Sequence, residues 1–314
     1  MRFEGLDLNL LVALNILLEE RNVTVAAKRL HLSQSALSGA LARLREYFND
    51  DLLVPVGRLM VPTPRAESLA EPVRAVLLQV RSSIASKSQF DPATSERRFN
   101  ILTSDYLIAV LLGEVIRRAS LIAPEVGFDV QHVQDRPIER LERGEVDLLI
   151  TPEPFTSDAH PYELLFQDDH VVIAAVDNEM VKQGLDLERF LELGQVGVRF
   201  GSDRMPAYED WVLTTTSHRR RLEVVASSFT AVPFRVAGTG RIALLPRRLA
   251  NHFARLLPLK VFAAPIELPP LREVMQWNRF NDQDPGLRWL LGLLRDTAAT
   301  QELPGGDEGF VSAT

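Results

Sequence analysis

Cysteine is absent from this sequence of 314 residues. Without thiols the chain can form no disulfide, no Cys-based zinc site and no thiol nucleophile. Long apolar runs are missing too, because even the richest segment, residues 8–18, is interrupted by Asn9 and Asn15. The first five residues lack the basic and then apolar order of a secretion signal. We therefore expect a cytoplasmic protein that does not enter a membrane.

Patterns that indicate catalysis or metal binding are also lacking. No Gly-x-Ser-x-Gly elbow places a nucleophile on a strand-to-helix turn, and no acidic pair has a motif context. Gly238-Thr239-Gly240 lacks the third glycine of a phosphate-binding loop and is interpreted as a turn. No metal-ligand spacing occurs among the six histidines, which are His31, His132, His160, His170, His218 and His252. We predict no catalytic residue, no cofactor and no metal, and hence no enzyme.

The charge is unevenly distributed. The net charge of −7 argues against a nucleic-acid-binding protein, since such domains are usually basic. Residues 1–90, however, hold 11 Lys and Arg against 9 Asp and Glu, a net +2, so the other residues hold 24 against 33, a net −9. The negative net charge of the chain therefore comes from residues 91–314. DNA binding by the first part would then depend on where its few cations lie, and dimerisation would double the contacts.

Residues 33–45 have the most informative pattern in residues 1–90. Read as a helix capped by Ser33, it places Leu37, Leu41 and Leu44 on one side at spacings of three and four. Its other faces carry short side chains that can approach base edges closely, namely Gln34, Ser35 and Ser38. This pattern is typical of a recognition helix.

Two helices are predicted before it. Residues 8–20 carry an apolar stripe, and Thr24 is expected to cap a short helix over residues 25–30 whose Ala26 and Ala27 allow close packing. With the brief turn at residues 31–32, this order predicts a helix-turn-helix.

A hairpin is predicted over residues 49–64, with Arg58 near its tip. Arg58 could be a solvated surface residue, but beside a helix-turn-helix we favour contact with a DNA phosphate.

A longer helix starts at Pro64. A heptad seam follows, which could pack against its own domain or against a second chain. We favour a second chain, because the small N-terminal part has little surface to cover so long a helix. The seam consists of Ala66, Leu69, Val73, Val76, Val80 and Ile84.

From Arg98 onward, strand and helix patterns alternate, as in a parallel α/β layout. Residues 82–94 are predicted to be a linker, and the Gly-rich tail is predicted to be disordered. Strands are expected at 99–102, 126–133, 146–150, 170–176, 196–200, 223–226 and 273–277, helices at 106–120, 137–143, 187–193, 206–218 and 285–299, and two further elements at 231–238 and 242–245.

A family resemblance is carried by residues 8–11, residues 22–30, the run Leu32 to Ser38 with Leu41, Arg43 and Leu44, and residues 62–66. These resemble the DNA-binding domain of LysR-type transcriptional regulators, and Gly144 to Ile150 resembles a strand of their effector domain. The opening residues 1–14, residues 47–52 and Ser104-Asp105-Tyr106 are similar to the NodD branch, which includes regulators that respond to flavonoids or control the degradation of aromatic compounds.

The resemblance implies a fold class of α/β type with an N-terminal winged helix-turn-helix, a long linker helix and a two-lobed periplasmic-binding-protein-like effector domain. The implied boundaries are 1–64 for the DNA-binding domain, 65–87 for the dimerising linker helix, 93–167 with 268–302 for lobe I, 168–267 for lobe II and 303–314 for the tail. It also implies a homodimer or homotetramer on double-stranded promoter DNA, bent until a small aromatic inducer binds, and contact with RNA polymerase.

Residue by residue, the resemblance places Gln34, Ser35 and Ser38 at base-reading positions and Thr24 at a phosphate. Gly39 and Ala42 depart from the family pattern, since many members carry long or basic side chains there. We predict DNA contacts from Thr24, Ser33, Gln34, Ser35, Ser38, Arg43 and Arg58, and inducer contacts from Ser104, Gln134, Pro152, Phe155 and Phe200, which follow strand ends.

The regulator could be an activator, which we favour, or it could act as a repressor or without inducer. A small-molecule carrier with no DNA role is a further alternative, but it would leave residues 1–90 unexplained.

Overall fold

The computed structural model describes residues 6–56, 59–80, 90–133, 135–182, 184–215 and 219–300. They form two compact units, Met1–Ser88 and Gln89–Thr314. Some predictions fall outside the described residues: those for Arg58 and Gln134, for the seam residue Ile84 and the end of the linker helix, for most of the linker, and for the tail.

The first unit consists of three helices, a two-stranded hairpin and a longer helix, as predicted for a winged helix-turn-helix followed by a linker helix. The elements are α1 (Leu8–Glu20), α2 (Val23–Arg29), α3 (Gln34–Phe48), β1 (Leu53–Val56), β2 (Leu59–Pro62) and α4 (Pro64–Val80). Strands β1 and β2 pair antiparallel.

Helix caps fix these boundaries. Ser33 caps α3 as predicted, because its hydroxyl accepts a hydrogen bond from the Ala36 N–H at 3.1 Å. The predicted Thr24 cap is wrong. Asn22 lies in extended conformation, and its side-chain oxygen accepts from the N–H groups of Thr24 and Val25 at 2.9 and 3.1 Å, so α2 begins at Val23.

The core of this unit is apolar and close-packed. Leu14, Leu37 and Leu44 are fully buried, and Ala26 and Ala27 let α2 approach its neighbours.

Helix α4 packs on α1, which covers Ala66, Leu69 and Val73 within the chain. The prediction that a second chain covers the seam is therefore wrong for these residues. Val76 remains 45% exposed.

The second unit contains two mixed β-sheets with helices around them, which confirms the two-lobed α/β prediction. The lobe I sheet has the strand order β4-β3-β5-β13-β6. The lobe II sheet has the strand order β10-β8-β11-β7-β12, and the short strand β9 pairs with β8 outside this order. The strands are β3 (Arg98–Thr103), β4 (Gly127–His132), β5 (Leu148–Pro152), β6 (Tyr162–Asp168), β7 (His170–Ala175), β8 (Gln195–Phe200), β9 (Met205–Pro206), β10 (Leu222–Ala226), β11 (Ile242–Pro246), β12 (Leu259–Ala263) and β13 (Leu271–Gln276).

The helices of this unit surround the sheets. A continuous helical segment runs through α5 (Asp105–Leu107), one π-helical turn (Ile108–Leu112) and α6 (Gly113–Ile122). The others are α7 (Pro137–Glu142), α8 (Leu187–Glu192), α9 (Tyr208–Thr215), α10 (Pro233–Val236), α11 (Arg247–Ala254) and α12 (Pro285–Thr300). No helix within the described ranges is long and apolar enough to cross a membrane.

Some predictions for this unit are wrong. The sheets are not all parallel, since β13 pairs antiparallel with both β5 and β6, and β7 pairs antiparallel with β11 and β12. Strands β6 and β12 and helix α11 were not predicted. The helix predicted from Pro206 begins at Tyr208, because Met205–Pro206 instead pairs with β8. The chain passes between the lobes from β6 to β7 and returns from β12 to β13.

Candidate functional site

The outward surface of α3 is polar, small and exposed. Gln34, Ser35 and Ser38 are all exposed, while the leucines at the intervening positions enter the core. The Ser35 hydroxyl lies 3.0 Å from the Ser33 hydroxyl, which links it to the helix cap. The structure thus brings four of the predicted DNA contacts together at the start of one helix. The positive end of the helix dipole lies at the same place and favours a phosphate.

Gly39 occupies the middle of this surface. A Cβ atom built at this position would meet no atom within 4 Å, so packing within the chain does not require glycine there. Ala42 is exposed on the same helix. This part of α3 therefore carries no long side chain, so another backbone can approach the helix closely.

The two other described candidates for DNA contact lie on α2 and in the second half of α3. Thr24 is exposed in the first turn of α2. Arg43 is exposed in the second half of α3 and forms an ion pair of 3.3 Å with Asp7, the N-cap residue of α1. Exposed ion pairs are weak, so this contact leaves Arg43 available to a phosphate.

The base of the hairpin is held by side chains that bond to the backbone. Arg45 donates to the carbonyl oxygens of Asp51 and Leu53 at 2.8 and 2.7 Å. Thr63 donates to Asp50 at 2.6 Å and accepts from the Ala66 N–H, which caps α4. These bonds join the hairpin to α3 and α4.

A cavity of about 360 Å³ lies between the lobes of the second unit. Lobe I contributes Ser104, Pro152 and Phe155, and lobe II contributes Phe200, so the structure brings four of the five predicted inducer contacts together. The volume lies in the range of small-molecule sites. We name this space the effector cavity.

Aromatic rings line much of the effector cavity. Phe155 lies 5.7 Å from Trp211 and 6.4 Å from Tyr208 between ring centroids, and Phe200 lies 5.5 Å from Phe229. Rings at these separations form edge-to-face contacts and leave flat apolar surfaces for another ring.

Two buried carboxyl groups also line the cavity. Glu273 on β13 is 3% exposed, and burial together with the charge of Asp168 raises its pKa to about 8. Glu209 on α9 is 1% exposed, and burial raises its pKa to about 7 despite the charge of Arg220.

His170 stands beside Glu209. Its Nε2 lies 3.9 Å from the Glu209 carboxylate, and its ring stacks on Tyr208. Burial and then the charge of Arg220 lower the pKa of His170 to about 4, so the imidazole is neutral at pH 7.

A third acid is hydrogen-bonded within the protein. Asp168 accepts from the Tyr106 hydroxyl at 2.6 Å and from the N–H groups of Asp169 and Arg248 at 2.8 and 3.1 Å. Burial raises the pKa of Asp168, and these hydrogen bonds oppose that shift.

Two lobe I carboxylates reach across to lobe II. Asp105 accepts from the N–H groups of Phe229 and Thr230 at 3.0 and 2.7 Å and from the Thr230 hydroxyl at 2.6 Å. Asp135 accepts from the hydroxyl and N–H of Ser202, and these bonds lower its pKa. Because Asp105 adjoins Ser104, one of these contacts lies directly beside the effector cavity. We call these two contacts the lobe clamps.

Sequence reasoning missed the acidic residues of the cavity. Glu209 stands in the run Ala207-Tyr208-Glu209-Asp210-Trp211, and Glu273 is the first residue of a predicted strand that continues with Val274 and Met275. An acidic residue in an aromatic or apolar setting was an available signal. The sequence could not show that both residues line one cavity, because this depends on the pairing of strands that are distant in sequence, such as β13 with β5. The described residues contain no cluster of three metal ligands.

Comparisons with known proteins agree with both units. Residues 8–67 match the bacterial regulatory helix-turn-helix protein, lysR family, and residues 92–299 match the LysR substrate binding domain. Nodulation protein D 2 of Rhizobium tropici is 45% identical over 304 residues, covering 97% of this chain and 96% of that protein. Nodulation protein D 1 of Bradyrhizobium elkanii is 44% identical over 299 residues, covering 95% of each.

Solved structures have the same fold. A probable transcriptional regulator, PA0477 from Pseudomonas aeruginosa, is 28% identical with a TM-score of 0.62, covering 93% of this chain and 97% of that one. Full-length CbnR complexed with its target DNA is 17% identical with a TM-score of 0.51, covering 93% of this chain and 100% of that one. This second likeness shows the fold alone. The chain belongs to the LysR family of DNA-binding transcriptional regulators, in the branch that contains the nodulation protein D relatives.

Proposed function

We propose that this regulator is a transcriptional activator that is switched by a small aromatic inducer bound in the effector cavity. The observation that carries the proposal is the cavity itself, which lies between two lobes and is lined by Phe155, Phe200 and Trp211. An apolar cavity with few polar groups binds flat apolar molecules well. The sequence resemblance to the NodD branch, which includes regulators that respond to flavonoids or control the degradation of aromatic compounds, supports a phenolic or flavonoid inducer.

On the DNA side, Gln34, Ser35 and Ser38 read base edges from α3. Their support is their exposure on one helix and the lack of long side chains around them, which lets the helix enter a major groove. Thr24 at the start of α2, Ser33 at the start of α3, Arg43 and the hairpin residue Arg58 contact phosphates.

The regulator acts as a homodimer or homotetramer on an interrupted palindrome. Val76 on α4 is exposed although it belongs to the apolar seam, so it can contact a second copy of the helix. Two or four copies multiply the phosphate contacts of a unit with a net charge of only +2. The activated complex then contacts RNA polymerase.

The inducer contacts are Ser104, Pro152, Phe155 and Phe200 in the cavity, together with Gln134. A ligand that touches both lobes can change the angle between them and, through α4, the spacing of the DNA-binding units. Inducer would therefore change DNA bending as well as affinity.

A gel-shift titration tests the proposal. DNA from the region upstream of the gene and random duplex of equal length are titrated at 50, 100 and 200 mM salt, with and without the flavanone naringenin and a panel of simple phenols. We expect specific binding that falls steeply with salt, and a change in bend angle, measured by circular permutation, with at least one compound. Equal affinity for both duplexes would overturn specific binding by these residues.

A promoter reporter separates the modes of regulation. Activation requires that reporter output rise with inducer and fall when the gene is deleted. Output that rises on deletion would identify a repressor, and output that ignores every compound would identify an inducer-independent regulator.

A further inference from the structure

Lobe II contains a further cavity, of about 530 Å³, beside the one already described. Helix α9 contributes to the linings of both cavities with different residues. Glu209 and Trp211 line the effector cavity, whereas Asp210 lines the further cavity. The lining of the further cavity also includes the arginines Arg199, Arg219 and Arg220. We name this space the arginine cavity.

The arginine cavity differs in chemistry from the effector cavity. Among the described residues, its lining contains no aromatic ring, and Asp210 is its one carboxylate against three guanidinium groups. Three positive charges and one negative charge give the lining a net charge of +2, although residues 91–314 carry −9 in total. Like charges that lie close together repel one another, and an anion placed between them removes this repulsion. The charge of the lining therefore favours an anionic ligand.

Two of the three arginines have no acidic partner. Within the ranges that the structure describes, Arg199 and Arg219 form no ion pair, whereas Arg220 pairs with Asp210. Arg199 is half-buried and donates a long hydrogen bond, of 3.5 Å, to the carbonyl oxygen of Arg204. Arg219 is exposed. Both guanidinium groups therefore have N–H donors available to a molecule in the cavity.

The third arginine is buried with an unsatisfied donor. The Arg220 side chain is 1% exposed, its Nη2 bonds to Asp210, and its Nη1 lies 3.5 Å from the side-chain oxygen of Gln195. Among the described residues, no hydrogen bond reaches its Nε. Buried polar groups nearly always have hydrogen-bond partners, so each exception requires an explanation. Because Arg220 lines the arginine cavity, a molecule bound there can supply the missing acceptor.

The donors of this cavity suit a phosphate group better than a carboxylate. A guanidinium group can form two parallel hydrogen bonds with either anion. A phosphate group, however, offers at least three acceptor oxygens and carries a charge of about −1.5 to −2 at pH 7, close to the opposite of the lining's charge. The cavity volume lies in the range of small-molecule sites. An organic group attached to the phosphate can therefore also fit, against the apolar lining residues Pro206 and Leu222.

We propose that the arginine cavity of lobe II binds a dianionic phosphate group, either as inorganic phosphate or at one end of a small phosphate ester. Arg199, Arg219 and Arg220 bind the phosphate oxygens. Arg199 lies on β8, whereas the other two precede β10, so the bound phosphate links two segments of lobe II. This site depends neither on the proposed inducer nor on the proposed DNA contacts.

Anion titrations of the full-length protein test the proposal. The probes are inorganic phosphate, glycerol 3-phosphate, ribose 5-phosphate and acetate, each exchanged for chloride at pH 7 and constant ionic strength. Binding is followed by tryptophan fluorescence, because Trp211 adjoins the lining residue Asp210 on α9. All three tryptophans lie in the second unit, so an anion bound by the DNA-binding unit should not change this signal. Calorimetry and the melting temperature provide independent readouts.

We expect a saturable change of fluorescence and a rise in melting temperature with at least one of the three phosphates, and neither with acetate. An ester that binds more tightly than inorganic phosphate would support an organic ligand, whereas an ester that binds no more tightly would support the free anion. The proposal is overturned if no phosphate gives a saturable change. It is also overturned if acetate has the same effect as phosphate, because the response would then be nonspecific.

Variants assign the binding to residues. Arg199→Gln and Arg219→Gln break no ion pair of the described residues, so both should fold normally, as checked by circular dichroism. Each should weaken phosphate binding about tenfold or more, because each removes charged hydrogen bonds to the anion. Arg220→Gln is unsuitable, since it would leave the buried Asp210 without its partner.

Arg255→Gln is the matched control for the loss of one positive charge. Arg255 is exposed at the end of α11 in lobe II and does not line the arginine cavity. This variant should bind phosphate as tightly as the natural protein. Unchanged phosphate affinity in Arg199→Gln and Arg219→Gln would show that the anion binds elsewhere. An equal loss in Arg255→Gln would show that only the net charge matters, and either result would overturn the assignment.

Discussion

The α3 surface and the effector cavity are the two binding sites of the proposed function, and they are built in opposite ways. On α3 the functional side chains are exposed, lie within five residues of one another and make few bonds to the protein. In the cavity they are buried or half-buried, come from both lobes and include two buried carboxyl groups. The α3 surface can therefore change with little effect on folding, whereas polar residues in the cavity affect folding and binding together.

Among the variants proposed, Glu273→Gln should have the largest effect, because it should stabilise the second unit at high pH. The folded pKa of about 8 exceeds the value of 4.5 expected when the carboxyl is exposed, so the folded state holds a proton that the unfolded state has lost between these values. The resulting stability is complete below pH 4.5 and is lost as the pH rises through 8. We expect Glu273→Gln to gain on the order of 3 kcal/mol over the natural protein at pH 8.5 and almost nothing at pH 4.5.

Urea unfolding followed by tryptophan fluorescence measures this effect in the second unit alone, because all three tryptophans lie there. His170, whose pKa is lowered to about 4, acts in the opposite sense, since its contribution is present above pH 6.5 and is lost as the pH falls. Glu163→Gln is the control, because Glu163 on β6 pairs with Arg295 and is not part of the cavity lining. An equal stability gain at both pH values would show that the charge on Glu273 is not the cause.

Gln34→Ala on the α3 surface should weaken specific DNA binding with little effect on folding. Gln34 is exposed, so its truncation should change the free energy of unfolding by less than 0.5 kcal/mol, as is usual for surface substitutions. Specific DNA binding should lose about 1 to 3 kcal/mol, while binding to random duplex changes little. Fluorescence anisotropy with the two duplexes at one salt concentration measures both. Equal losses on both duplexes would assign Gln34 to phosphate contact.

Asp105→Asn should weaken one lobe clamp. The carboxylate accepts three hydrogen bonds from residues 229 and 230. Asparagine has only one side-chain oxygen to accept them, because its amide nitrogen cannot accept a hydrogen bond. We expect the second unit to lose about 1 to 2 kcal/mol of stability. Amide hydrogen exchange should show faster exchange at residues 229 and 230. Unchanged protection there would mean that the clamp does not hold this segment.

The sequence predicted the local parts of both sites better than the long-range parts. The α3 surface followed from spacing within one helix, with Ser33 as its cap, so no other element was needed to find it. Ser104, Pro152, Phe155 and Phe200 were predicted because each lies at or just after the end of a predicted strand, and the ends of parallel strands meet at one edge of a sheet. Glu273 could not be placed, since β13 returns antiparallel from the other lobe. Likewise, the cap of α2 is Asn22 and not the predicted Thr24, because both residue types favour N-caps and the type alone does not separate them.

Gly39→Ala should have the smallest overall effect of the variants proposed, and it tests whether α3 approaches DNA closely at this position. Glycine inside a helix costs roughly 1 kcal/mol relative to alanine, and nothing within 4 Å opposes the added methyl group. Gly292→Ala in α12 is the matched control, because its site is equally open and lies in the other unit. Both variants should gain up to about 1 kcal/mol, detected for Gly39→Ala by circular dichroism and for Gly292→Ala by tryptophan fluorescence. Only Gly39→Ala should lower specific DNA affinity, because its methyl group would meet the DNA. Full DNA affinity with added stability would mean that α3 does not approach the groove at this residue.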